Sequence, residues 1–170
     1  MSPESIARAA RWPCFERAQR RARRADLKRL PDFDDAEAGE RALADAERYD
    51  SLPQALAFLV SRPALDRAAR FAVKRARERD GDHYEVLSPA ADALAGKHPL
   101  AAALVLRALI DFSLAKARSD RDRHAARHFM ECASLASYIA DFGAFERHEA
   151  CAARMKAAHG RKSGFWSLLS

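Results

Sequence analysis

The stretch from Pro99 to Ile110, PLAAALVLRALI, carries one charged residue, Arg107, and is apolar nearly all round. A helix that is apolar on every side has no face to give to water, so it belongs inside a folded unit. PLAAALVLRALIDFSLAKAR is therefore expected to be the central buried helix. It sets a condition on the rest of the chain, which has to supply amphipathic partners. Composition meets that condition: alanine and arginine dominate, both good helix formers, while the β-branched residues that favour strands are few. Gly and Pro number only 6 and 7 in 170 residues, and no strand-like alternation is seen. The expected fold is all-α, with antiparallel helical hairpins stacked in a tetratricopeptide-like, α-solenoid-like bundle. Alanine at contact points lets helices approach closely. No clean repeat of roughly 34 residues, the tetratricopeptide period, is found.

The surrounding helices read as follows. Ser2 caps PESIARAARW, and Pro13 restarts a helix that runs to Pro31 with only Phe15, Ala18, Ala22 and Ala25 on its apolar side. Asp34 and Glu37 form a capping-box-like start for DAEAGERALADAERY. Ser51 and Pro53 open PQALAFLVSR, with Leu56, Leu59 and Val60 on one face. Pro63 opens PALDRAARFAVKRARERD, whose Leu65, Ala68, Ala69, Ala72, Val73 and Ala76 follow helical spacing, with Gly81 as its C′ residue. HYEVLSPAADALAGK precedes the central helix. DRDRHAARHFMECASLASYIADFG follows it, with Ala125, Phe129, Cys132, Ala136 and Ile139 turned inward. FERHEACAARMKAAHG comes last, with Phe145, His148, Ala152 and Met155 on one face.

Charge is segregated along the chain. Met1 to Leu30 holds nine Lys and Arg against three acids, a net of +6, and Pro31 to Asp50 holds two against eight, a net of −6. The remainder is again +6. The expected organisation is a basic N-terminal helical arm over residues 1–30 and a single helical domain over 31–170. Arg17, Arg20, Arg21, Arg24 and Lys28 form one basic stripe, and Arg67, Arg70, Lys74 and Arg77 another. Phosphate contact needs such stripes, but base readout also needs a recognition element or stacking aromatics, and none interleaves with them. Cys14, Cys132 and Cys151 are odd in number and show no CxxC spacing, which points to reduced thiols and the cytoplasm. No signal-peptide h-region is visible. The longest charge-free apolar run, Pro99 to Leu106, is far short of the ~20 residues a membrane span needs.

The chain ends on HGRKSGFWSLLS. A helix C-terminus leaves carbonyls unpaired and carries partial negative charge. Gly160 is expected in the left-handed C′ conformation, with His159, Arg161 and Lys162 as cations at that end. Gly164 turns the chain back, so that Phe165 and Trp166 plug the helical stack, Trp166 lying near Phe145, Ala152 or Met155. Each ring is worth ~2–3 kcal/mol if fully buried. The alternative is an anion or partner surface made by His159, Arg161 and Lys162.

Other constellations are weaker. His124, His128 and Cys132 share a helix stripe with zinc-compatible residue types, but lack a clear fourth ligand, so no metal is expected. Arg107 and Asp111, four residues apart on the central helix, read as a ligand site or a structural clamp between layers, with the clamp favoured because buried charges come paired. Asp82, His83 and Glu85 cluster at a helix start, as the helix dipole favours for carboxylates. No GxSxG, P-loop, GxGxxG or HExxH is present.

The stretches from Asp80 to Ser119 and from Arg123 to Trp166 resemble the C-terminal helical region of DUF6880, a bacterial family of uncharacterised proteins. That region closes on a His-Gly-Arg-Lys element followed by Phe-Trp, here His159 to Lys162 and Phe165–Trp166. The resemblance covers about Glu40 to Trp166. It implies an all-helical, tetratricopeptide-like fold and no particular activity. Family members are usually longer, which implies a short paralogue or a detached C-terminal domain. A weaker likeness extends to the helical tails of SWIM zinc-finger proteins. Their CxC…CxH metal motif is absent, so no metal role carries over. The expected function is a non-enzymatic protein–protein interaction module, partnered by another protein or by itself, without cofactor or membrane. A basic, nucleic-acid-associated protein is the alternative, and an enzyme with an unrecognised site comes third.

Overall fold

The computed structural model describes residues 33–62, 64–78, 80–116 and 121–169, with side chains from residue 36 onward. The basic arm, its arginine stripe, Cys14 and the Asp34 side chain lie outside the described residues. Among those described, eight α-helices and no strand are found. They are α1 (Phe33–Glu47), α2 (Leu52–Val60), α3 (Leu65–Lys74), α4 (Tyr84–Ala95), α5 (Pro99–Ala115), α6 (Asp122–Ala136), α7 (His148–His159) and α8 (Ser163–Ser167). A 3-10 turn, Ala76–Glu78, follows α3.

The chain divides into two compact units, Met1–Asp50 and Ser51–Ser170. α1 falls within the first of these, and the boundary expected after residue 30 lies outside the described residues. Of the described α1 side chains only Ala46 is buried, and Arg41 pairs with Glu37 one turn earlier on its open face.

The second unit is built around α5, as its sequence requires. Every residue from Ala101 to Arg107 is buried, and so are Leu109, Ile110 and Leu114. Pro99 starts the helix at a position where its missing N–H is no loss. α5 packs most extensively on α4 and α6, with α3 on a further side; α2 lies against α3 and α4, and α8 against α6. The buried apolar residues of its partners are Ala68, Ala69, Phe71 and Ala72 of α3, Leu87, Ala90, Ala91 and Leu94 of α4, and Ala125, Ala126, Cys132 and Leu135 of α6. Alanine dominates these faces, so the helices meet with little side-chain bulk between them.

Three boundaries differ from the sequence reading, each for a local reason. α3 stops at Lys74 rather than running to Asp80. The following chain turns through the 3-10 segment, and Asp80 accepts the Asp82 N–H at 3.0 Å. Gly81 is then pressed onto α5, where a Cβ would stand 2.2 Å from the Ala108 carbonyl oxygen. It is a close-approach residue rather than a helix cap. α6 ends at Ala136, not Gly143: the Asp141 carboxylate accepts the Gly143 N–H at 2.7 Å, and Gly143 takes φ +55°. Gly160, expected in the left-handed region, has φ −58° and ψ −23°; the chain leaves helical geometry two residues later, at Lys162 with φ −79° and ψ 72°. No described helix is long and apolar enough to cross a membrane.

Candidate functional site

An open cleft of about 930 Å³ lies within the second unit. One wall is the end of α3 and the turn after it, with Val73, Lys74, Arg77 and Gly81; the floor is α5, with Leu104, Arg107, Ala108, Asp111 and Phe112. The opposite wall is the loop before α7, with Ala144, Phe145 and Glu146, joined by Arg154 of α7. Gly81 closes onto Ala108 of this floor, and the Glu146 backbone oxygen reaches Arg107 from the other side.

Arg107 and Asp111 both line this cleft, but they do not pair with each other. Arg154 takes Asp111 instead, with Nη1 and Nη2 donating to the two carboxylate oxygens at 3.1 and 3.3 Å. Arg154 also donates to the Glu146 carboxylate at 3.0 Å. These bonds raise the Arg154 pKa above its already high value, Asp111 contributing most. Arg107 is 6% exposed. Its Nη1 donates to the Glu146 backbone oxygen at 2.8 Å, its guanidinium lies 6.0 Å from the Phe142 ring centroid, and its Nε is buried without an acceptor. The clamp between layers is therefore Arg154 to Asp111 and Glu146, with Arg107 beside it. Sequence gave no sign of Arg154, which lies 43 residues from Asp111 and meets it only through the fold.

The second basic stripe is divided. Lys74 and Arg77 are exposed on the cleft wall, whereas Arg67 and Arg70 do not line it.

The His124–Cys132 stripe is also divided. His124 is exposed, its ring 5.8 Å from that of Tyr84. His128 is buried, 6.1 Å from Tyr84, with neither ring nitrogen hydrogen-bonded and Nδ1 3.8 Å from a Glu131 oxygen. Burial, reinforced by the charges of Arg127 and His124, lowers its pKa from 6.5 to about 4. Cys132 turns to α5 instead, where its thiol donates to the Ala103 carbonyl at 3.6 Å. Burial pushes Cys132 up to about 12 and Cys151 up to about 11. Among the described residues no group of three or more His, Cys, Asp and Glu is placed to hold a metal ion.

At the C-terminal end, Phe165 is fully buried and Trp166 is half-buried beside it. Both rings meet Phe129 edge-to-face, with centroids 6.0 and 6.2 Å away. Phe145 lies in the cleft wall, because the loop before α7 is longer than the sequence pattern suggests. The indole N–H of Trp166 donates to the His159 carbonyl at 2.9 Å, and Lys156 lies over its ring. Lys162 donates to the carbonyl of Lys116, closing the C-terminus of α5 rather than that of its own helix. Arg161 is exposed, and His159 is half-buried.

The fold and the cleft define an all-helical protein with a charged surface cleft. The model of DUF6880, a family of unknown function, matches residues 1–168, and the chain belongs to that family. The match includes the basic arm, which the sequence resemblance left out. No curated protein and no solved structure matches the chain.

Proposed function

We propose that this chain is a non-enzymatic protein–protein interaction module, its helices stacked as antiparallel pairs in a tetratricopeptide-like arrangement. The observation that carries the reading is the cleft: a concave, mixed apolar and charged surface of about 930 Å³, walled by separate helical layers. Three residues join α4 to α5, and the two helices pack extensively, which supports a pairwise, antiparallel arrangement. The thiols of Cys132 and Cys151 are held protonated, which favours a binding role over a nucleophilic one. The occupant is another protein or a second copy of the chain.

A photo-crosslinking amino acid at Ala144, exposed on the cleft wall, tests this. Irradiation in the native cell is expected to give a discrete protein adduct, absent when the same group replaces exposed Gln54, which does not line the cleft. No adduct at Ala144, together with binding of random-sequence DNA that weakens steeply with salt, would favour the nucleic-acid reading instead.

A further inference from the structure

We infer that the cleft receives a carboxylate, presented by a short peptide segment in which one acidic residue sits beside an apolar one. The inference rests on the interaction reading and names the chemistry of the partner. Its centre is Arg107. A guanidinium offers five N–H donors, yet the one hydrogen bond Arg107 makes is from Nη1 to the Glu146 backbone oxygen, and its Nε is buried without an acceptor. Nε is enclosed, but Nη2 is neither enclosed nor hydrogen-bonded to a described residue, so its donors are the ones a ligand in the cleft meets, on a side chain only 6% exposed.

The neighbouring acids are already engaged. Asp111 and Glu146 are held by Arg154, and Glu78 is held by Arg75. Lys74 and Arg77, on the wall, are in ion-pair contact with no described carboxylate. Lys74, Arg77 and Arg107 are therefore cations in ion-pair contact with no described carboxylate, on a lining where they and Arg154 stand against Glu78, Asp80, Asp111 and Glu146.

That near-balance chooses the ligand. A phosphate dianion or a nucleic-acid backbone would meet Asp111 and Glu146 as close like charges, and favours surfaces with a clear cationic excess. A single carboxylate fits one guanidinium fork and adds one charge. The rest of the lining, Val73, Leu104, Phe112 and Phe145, suits an apolar side chain next to it.

Fluorescence anisotropy with the full-length protein tests the inference. The probe is a fluorescein-labelled pool of synthetic hexapeptides with one central Glu flanked by Leu or Phe. The control is the same pool with Gln in place of Glu. The Glu pool is expected to bind at least ~10-fold more tightly than the Gln pool. Arg107→Gln should abolish that preference, and the Lys74→Ala/Arg77→Ala double variant should weaken it several-fold. The double variant changes exposed residues only, so it reads the cleft even where Arg107→Gln fails to fold. Three results would overturn the inference: no binding by the Glu pool, equal binding by both pools, or a preference unchanged in the double variant. Tighter competition by inorganic phosphate or single-stranded DNA than by acetate would also overturn it. A protein adduct at Ala144 without acidic-peptide binding would leave the interaction reading standing and remove this one.

Discussion

Phe165 and Trp166 are adjacent, yet only the first is enclosed. Phe165 has no exposed surface, so removing its ring leaves a cavity and is expected to cost ~3–5 kcal/mol. Trp166 is half-buried and contributes an edge-to-face contact with Phe129 and a hydrogen bond to the His159 carbonyl. Trp166→Ala is expected to cost less than Phe165→Ala, about 1–3 kcal/mol. Urea unfolding of both variants checks the order, and the reverse order would return the plug to tryptophan. The sequence motif showed that two aromatics follow the capping cations. Phe129 of α6 was legible as an inward residue, but its contact with both rings comes from the packing of α8 on α6, which no local pattern reveals. His128 carries a second prediction at this scale. An unfolded chain takes up a proton on this imidazole as pH falls through 6.5, whereas the folded chain refuses it until about 4. The unfolded state then binds more protons, so this group's contribution is fully present above pH 6.5 and is lost progressively toward pH 4, by up to about 3 kcal/mol. Asp92 pulls the other way on the same imidazole. His148, lowered by burial, adds to the slope, while Glu131, raised by burial, opposes it. The test is therefore a difference: His128→Phe should show a shallower loss of urea stability between pH 6.5 and 4.5 than the wild type. Equal slopes would mean that His128 is protonated in the folded protein.

Element by element, what could be read from the chain follows the length of the apolar pattern. α5 was legible because Pro99 to Ile110 leaves no polar face, and its buried positions are the ones its sequence demands. The α3 stripe was legible at Ala68, Ala69 and Ala72, but Phe71 is buried as well, since this helix is covered on more than one side by α2, α4 and α5. α7 was the least legible: its pattern suggested Phe145, His148, Ala152 and Met155, yet the buried pair is Cys151 and Met155. A helix with two buried residues has too weak a stripe for periodicity to find. The cleft was invisible for a different reason, as its parts come from three separate elements brought together by packing. Gly81 ties one of them to α5. Gly81→Ala would place a methyl group 2.2 Å from the Ala108 oxygen and 2.6 Å from Phe112 Cβ, so the loop has to lift. The expected cost is about 1–3 kcal/mol, and Lys74 and Arg77 should move away from Arg107 with it. Thermal melts, together with a loss of acidic-peptide affinity in the same variant, check both halves. A Gly81→Ala protein as stable as the wild type would mean that the loop is not pinned to α5.

At the scale of the whole molecule, the described core lies in the second unit. Among the described residues every buried apolar side chain except Ala46 belongs to the second unit, from Leu52 to Phe165. Its centre, α5, finds its partners α3, α4 and α6 inside that same unit. Stability in a helical domain comes mainly from such faces rather than from helix propensity. Residues 51–170 are therefore expected to fold without residues 1–50. The fragment should keep a helical circular-dichroism spectrum, unfold in one cooperative step and melt within about 5 °C of the full chain, which corresponds to roughly 1 kcal/mol for a unit of this size. Removing Pro31–Asp50, which is net −6, and the basic residues 1–30 together leaves the fragment at +6, the net charge of the whole chain. Its colloidal behaviour should therefore change little, and a change in stability would report on contacts rather than on charge. A fragment that melts without cooperativity would show that the first unit completes the core of the second.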